Sequence, residues 1–312
     1  MHEIILHHYP TSPFAEKARL LLGFKQLSWR SVQIPPVMPK PDLTALTGGY
    51  RRTPVLQVGA DVYCDTALIA RRLEAEKAAP ALFPEGQEFV AATLAQWADS
   101  VLFLHAVSLV FQPESMALRF AQAPKAFVET FSKDRAQLFS GGSVSRVPLE
   151  QARSHWPVLM ARLQQQLARG NGGFLLGDAP CIADFSVAHC LWFLKATPVT
   201  LPLVEDYPEV AAWLGRVLGV GHGSLSELSA EDALRMAHEA TPAALPDEAF
   251  FEPNGFTAGQ QVSVAAVDYG TDPVEGELVF AGVEELILRR EDARAGVVHV
   301  HFPRIGYRLE SR

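Results

Sequence analysis

The chain has 312 residues, 48% hydrophobic and 20% charged, enough for two or three domains with cores of their own. Its 27 Lys and Arg against 35 Asp and Glu leave a net charge of −8, which argues against a nucleic-acid partner, since phosphate binding shows as a basic excess. The apolar stretches Val101–Phe111 and Val187–Leu194 fall short of the ~20 residues that span a bilayer, and no basic-then-apolar leader opens the chain, so no membrane partner is expected.

Glu3–His8 reads as a short strand, broken by Tyr9-Pro10-Thr11-Ser12-Pro13. Ser12 can cap the helix that follows, with Pro13 at its first position, where a missing N–H costs nothing. That helix carries Phe14, Ala18, Leu21 and Leu22 and ends near Gly23, and Leu27–Ile34 then reads as a strand. Together they form a β-α-β unit, whose parallel strands need a crossover of this kind. The charged residues Glu16, Lys17 and Arg19 read as a solvated face of the helix.

A Pro-rich loop, Pro35–Pro41, and a weakly helical piece, Leu43–Leu46, precede two strands, Pro54–Val58 and Asp61–Cys64. The tight Gly59-Ala60 turn between them marks a hairpin. Asp65 or Thr66 caps a helix carrying Ile69 and Leu73. The order β-α-β, connection, β-β-α is the thioredoxin arrangement, expected for residues 1–78.

After Ala78–Gln87 the pattern turns helical: Phe89–Phe111, Pro124–Leu138, Leu149–Arg169, Ile182–Lys195 and Val210–Leu218, with a flexible loop expected at Gly141-Gly142-Ser143. This gives an all-helical domain over residues 88–222. Glu227–Glu239 reads as a helix within a linking segment, residues 223–250. Gln261–Val267, Gly276–Phe280, Glu285–Arg290 and Gly296–Phe302 are short and β-branched or alternating, so residues 251–312 read as a small antiparallel β-barrel-like domain. Cys64, Cys181 and Cys190 are an odd set without metal-type spacing, which favours reduced thiols and a cytoplasmic setting.

In this order the chain resembles the glutathione S-transferase superfamily over roughly residues 1–222, in a bacterial-type form with serine at the thiol-activating position. Four segments carry the resemblance: Thr11–Arg19, Arg52-Thr53-Pro54-Val55-Leu56, Asp65-Thr66 with Ile69 and Leu73, and Gly177–Phe185. It implies a protein that binds glutathione as co-substrate and conjugates its thiolate to a small hydrophobic electrophile, as a detoxification enzyme and homodimer. Ser12, at a helix N-terminus where a thiolate is stabilised, is the implied catalytic residue, with Tyr9 and Thr11 as alternatives. Neither Ser12 nor Ala15 is a cysteine, which excludes dithiol exchange there and makes mixed-disulfide chemistry improbable. Pro54 is the implied cis-proline, with the backbone of Thr53 pairing with the cysteinyl unit. Asp65 and Thr66 are implied at the γ-glutamyl end, and Lys40, Arg51 or Arg52 at the glycyl carboxylate.

By the same resemblance Trp97, Phe103, His105 and Phe111 line the co-substrate cleft, although ordinary helix–helix packing accounts for each of them as well. The family usually has Ser or Thr three residues before Asp184. Cys181 stands there, a poor cap that leaves Asp184 to cap alone. His299 and His301 share one strand face, but no third ligand is near in sequence, so no metal is expected. The extra β segment keeps open an alternative: a non-catalytic relative that recruits a protein partner through residues 251–312.

Overall fold

The structure, a computed structural model, describes residues 3–170 and 173–312. β1 (Ile4–His8), α1 (Pro13–Phe24) and β2 (Ser28–Gln33) form the expected unit, with β1 and β2 parallel. α2 (Pro41–Thr47), antiparallel β3 (Val55–Val58) and β4 (Asp61–Cys64), and α3 (Thr66–Glu76) complete the thioredoxin-like domain. Ile4 and Leu6 of β1 join a core with α1, α3 and the helical domain, whereas Ile5 joins Val32, Val55 and Val62 in a second core on the opposite face. A strand buried on both faces reads as a continuous apolar run.

The helical domain contains α4 (Glu88–Trp97), α5 (Phe103–Val110), α6 (Pro113–Arg119), α7 (Lys125–Leu138), α8 (Leu149–Arg169), α9 (Ile182–Leu194), α10 (Pro202–Glu205) and α11 (Pro208–Leu218). The single helix expected over Phe89–Phe111 is interrupted by a π-helical turn, Ala98–Leu102. The whole run Glu88–Val110 is long and apolar enough by length and composition to cross a membrane, but its inner face packs on α9. The short helices α6 and α10, each starting at a proline, escape a search for long periodic patterns. At the start of α9, Asp184 Oδ2 accepts the Cys181 N–H (3.0 Å), and Oδ1 accepts from Leu175 N–H (2.9 Å) and Trp213 Nε1–H (2.8 Å). The carboxylate thus ties three segments together where the family's hydroxyl is missing.

The C-terminal strands differ most from expectation. β6 (Gln261–Ala266), β7 (Val274–Ala281), β8 (Glu285–Asp292) and β9 (Gly296–Pro303) form an antiparallel meander. β10 (Tyr307–Ser311), unforeseen in the sequence, follows β9 after a few residues yet pairs with β6. The meander must therefore curl into the expected barrel-like shape. It is not separate, however, because β9 pairs in parallel with β4, aligning Asp61 with His299 and Tyr63 with His301. Within the stretch expected only to link, β5 (Ser224–Glu227) adds in parallel to β2 at the other edge, and α12 (Ala230–Glu239) packs against α2 and β9. The result is one ten-stranded sheet, β10-β6-β7-β8-β9-β4-β3-β1-β2-β5. Both edges of the thioredoxin-like sheet, which would otherwise expose unpaired N–H and C=O groups, are covered. Val262, Leu288, Val300 and Phe302 share the second core with Leu43, Val55 and Leu234.

Candidate functional site

A cleft of about 660 Å³ lies where the three parts meet, and Tyr9, Thr11, Ser12, Lys40, Arg52, Thr53, Pro54, Asp65 and Thr66 all line it. Ser12 is 3% exposed and its Oγ accepts the Ala15 N–H at 3.2 Å. Capping uses an acceptor lone pair, so the hydroxyl proton is left for a second partner. Tyr9 is half-buried beside it and Thr11 is exposed.

The Thr53–Pro54 bond is cis, and the backbone of Thr53 makes no hydrogen bond among the described residues. Asp65 is the N-cap of α3, its Oδ1 accepting the Ala67 N–H at 2.9 Å, and Thr66 follows with its side chain buried. These residues therefore bring an unpaired backbone segment and a helix N-terminus to one wall, a combination suited to a peptide carrying a carboxylate.

The three basic residues grouped in the sequence all line the cleft but take different partners. Lys40 Nζ donates to the Arg51 carbonyl (3.1 Å) and to Thr53 Oγ1 (2.9 Å), and burial, with Arg135 nearby, pulls its pKa down to about 7. Arg51 is buried and bonded to Asp134 at 2.9 Å. Arg52 lies instead next to Asp65, 3.8 Å between Nη1 and Oδ2.

The reading of Glu16, Lys17 and Arg19 as a solvated face is wrong, since all three are buried. Lys17 Nζ reaches Asp99 (2.5 Å) and Thr66 Oγ1 (3.2 Å), while Arg19 bonds Glu16 and His8. The helix packs on both the sheet and the helical domain, and each charge survives because a partner from another element meets it. Asp99 reaches Lys17 and His189 from the π-helical turn. Of the residues expected along the co-substrate side, Phe103 and Phe111 line the cleft, but Trp97 and His105 do not. His105 hydrogen-bonds His155 at 3.1 Å.

His299 and His301 do have acidic neighbours, supplied by the strand pairing. His301 Nε2 meets Asp61 Oδ1 at 3.1 Å and its Nδ1 meets Glu285 Oε2 at 3.3 Å, while His299 Nδ1 lies 3.8 Å from Asp61. Burial opposes a charge on His301, yet its bonds to Asp61 and Glu285 hold its pKa above the usual histidine value.

Sequence reasoning missed the cleft residues Asp268, Tyr269 and Tyr307 altogether. The Arg52 guanidinium bonds Asp268 Oδ1 and the Tyr269 carbonyl and lies 4.2 Å from the Tyr269 ring centroid. Tyr307 Oη donates to Asp65 Oδ2 at 3.0 Å. No motif marks these residues, because long-range contacts, the β4–β9 pairing and the docking of Asp268–Gly270 on the end of α7 and the loop after it, bring them to the cleft.

A thioredoxin-like domain with a cis-proline wall, joined to an all-helical domain across a cleft, defines the glutathione-transferase class of fold. The family description "Glutathione S-transferase, N-terminal domain" matches residues 6–81, and "Glutathione S-transferase, C-terminal domain" matches residues 149–216. A GST-like protein from Pseudomonas syringae is 63% identical over 100% of both chains, with a TM-score of 0.85. The chain belongs to this glutathione S-transferase-like family. A glutathione S-transferase from Rhodospirillum rubrum F11, 21% identical with a TM-score of 0.51, shares the fold over 69% of this chain and 87% of its own. Glutathione S-transferase III in apo form is 25% identical, with a TM-score of 0.50, over 69% of this chain and 91% of its own. No curated protein matches the chain.

Proposed function

We propose that the protein is a glutathione transferase whose thiolate, bound at Ser12, attacks a small electrophile in the cleft. The observation that carries this reading is the convergence of Ser12, the Thr53–Pro54 backbone and Asp65-Thr66 on one wall. The Ser12 hydroxyl and the α1 N-terminus lower the thiol pKa, and the proton leaves to solvent. A C–S bond then forms as the leaving group departs with its electron pair. Thr53 aligns the cysteinyl unit, Thr66 with the α3 N-terminus takes the γ-glutamyl carboxylate, and Lys40 takes the glycyl carboxylate.

The far wall fits an apolar, aromatic co-substrate, being lined by Phe103, Val107, Phe111, Phe131 and Phe193. Arg119 faces Phe193 there, 5.3 Å from its ring, without an ion-pair partner among the described residues, which favours a co-substrate bearing an acidic group. The cysteines are free and buried, in keeping with a reducing cytoplasm. Kinship is the ground for expecting a homodimer, which light scattering tests.

Thermal unfolding with glutathione tests binding: at ten times Kd the stabilisation is about 1.4 kcal/mol. No shift at millimolar glutathione refutes the proposal. Given binding, Ser12→Ala raises the pKa of the bound thiol, read from its ultraviolet thiolate band. An unchanged pKa moves the role to Tyr9 or Thr11.

A further inference from the structure

Residues 251–312 build one pole of the cleft. Arg52 lines the cleft with Nε and Nη2 committed to the Tyr269 carbonyl and Asp268, while Nη1 makes no hydrogen bond among the described residues, Asp65 lying 3.8 Å away. Both oxygens of Asp65 are also taken, one by the Ala67 N–H and one by Tyr307 Oη. Asp268 uses Oδ1 on Arg52, and its Oδ2 makes no hydrogen bond among the described residues. The pole therefore offers one free guanidinium donor and one free carboxylate acceptor side by side, next to the N-terminus of α3.

Asp268 is held in place from several directions. The Ser143 N–H donates to the Val267 carbonyl (2.9 Å) and the Val144 N–H to the Asp268 carbonyl (3.3 Å), so the Gly141-Gly142-Ser143 loop, expected to be flexible, is docked here. Gly142 allows that approach, since a Cβ on it would lie 1.6 Å from the Asp268 carbonyl oxygen. The Gly270 N–H donates to the Leu138 carbonyl at 2.6 Å. Tyr269 stacks on Phe139 with centroids 4.9 Å apart and is 8% exposed. Tyr307 Oη also meets Tyr50 Oη at 2.9 Å.

We infer that this pole reads the α-amino-acid end of the ligand: Asp268 Oδ2 accepts from the α-ammonium, and Arg52 Nη1 with the α3 N-terminus holds the α-carboxylate. Tyr307 and Tyr269 act as positioning residues, fixing Asp65 and Arg52. A donor and an acceptor at fixed separation match a zwitterion and discriminate against ligands that lack either charge. The role of the C-terminal strands is then ligand selection within the cleft. This inference rests on the glutathione-binding reading above.

The experiment compares glutathione with glutaryl-cysteinylglycine, which differs only by lacking the α-ammonium, using calorimetric Kd values on the full chain. Asp268→Asn weakens glutathione about tenfold, the scale of one charge-assisted hydrogen bond, and leaves the glutaryl analogue unchanged within about twofold. Tyr307→Phe lowers the same selectivity ratio without abolishing binding of the analogue, a change that a merely structural role would not produce. If wild type binds glutathione but Asp268→Asn leaves the ratio unchanged, this inference is overturned and the transferase reading stands. If wild type binds no glutathione, both fall. Unchanged circular dichroism and analogue affinity in the variants exclude misfolding as the cause.

Discussion

Replacing Asp99 by Ala removes the acidic partner of a lysine that is almost wholly buried. Lys17 Nζ lies 2.5 Å from Asp99 Oδ2, with side-chain exposures of 1% and 19%. Without Asp99 the ammonium keeps only Thr66 Oγ1, at 3.2 Å, among its hydrogen-bond partners, and His189 loses its 2.9 Å bond. Breaking a buried pair on one side costs about 3–5 kcal/mol, because the remaining charge is uncompensated. At about 2–4 °C per kcal/mol, the melting temperature falls by roughly 10 °C. Replacing both members, Lys17→Met with Asp99→Leu, costs far less, since an apolar pair of similar volume needs no compensation. Urea unfolding of wild type, both single variants and the double variant gives the coupling energy. Burial opposes ionisation of Asp99, but Lys17 and His189 hold its carboxyl below the usual range. Its contribution is therefore complete above about pH 4 and lost as pH falls through the lowered value. A single-variant cost under about 1 kcal/mol, or a double variant as unstable as the sum of the singles, refutes the reasoning.

The His301 cluster gives the opposite pH dependence. With its folded pKa raised by Asp61 and Glu285, His301 stabilises fully below about pH 6.5, and that contribution is lost as pH rises through the folded value. His301→Gln flattens this slope in urea midpoints measured from pH 5 to 9, and an unchanged slope counts against the assignment. Gly142→Ala drives a Cβ into the Asp268 backbone, so it costs about 1–3 kcal/mol of stability and weakens glutathione binding; calorimetry showing both unchanged contradicts the docked loop. Arg119→Ala raises KM for 4-chloro-3,5-dinitrobenzoate about tenfold while leaving that of its methyl ester unchanged, as expected when one charge-assisted contact is lost. Equal effects on acid and ester would refute a carboxylate-binding role for Arg119.

Local chemistry made much of the fold legible. Ser12-Pro13 caps α1 and Asp65 caps α3 through bonds that span only a few residues. The helix α8 follows an apolar periodicity and α9 is apolar on almost every face, and both end close to where the sequence places them. The π-helical turn was hidden because it preserves the apolar run while shifting its register, and that shift brings Asp99 to Lys17.

What the sequence determined by itself is most of the elements, with α6, α10, β5, β10 and the π-helical turn as the exceptions, since caps, turns and strand patterns are written within a few positions; the Ser12, Thr53–Pro54 and Asp65-Thr66 wall was expected from the family resemblance. The tertiary structure alone decided that Glu16, Lys17 and Arg19 are buried, that Asp61 meets His299 and His301, and that Asp268, Tyr269 and Tyr307 enter the cleft. Each depends on partners far apart in the chain: Lys17 and Asp99 meet through the packing of α1 on the helical domain, whereas Asp61 and His301, like Asp65 and Tyr307, meet where β4 pairs in parallel with β9. Strand pairing across such separations uses backbone groups that every residue carries, so the side-chain pattern of either strand does not name its partner.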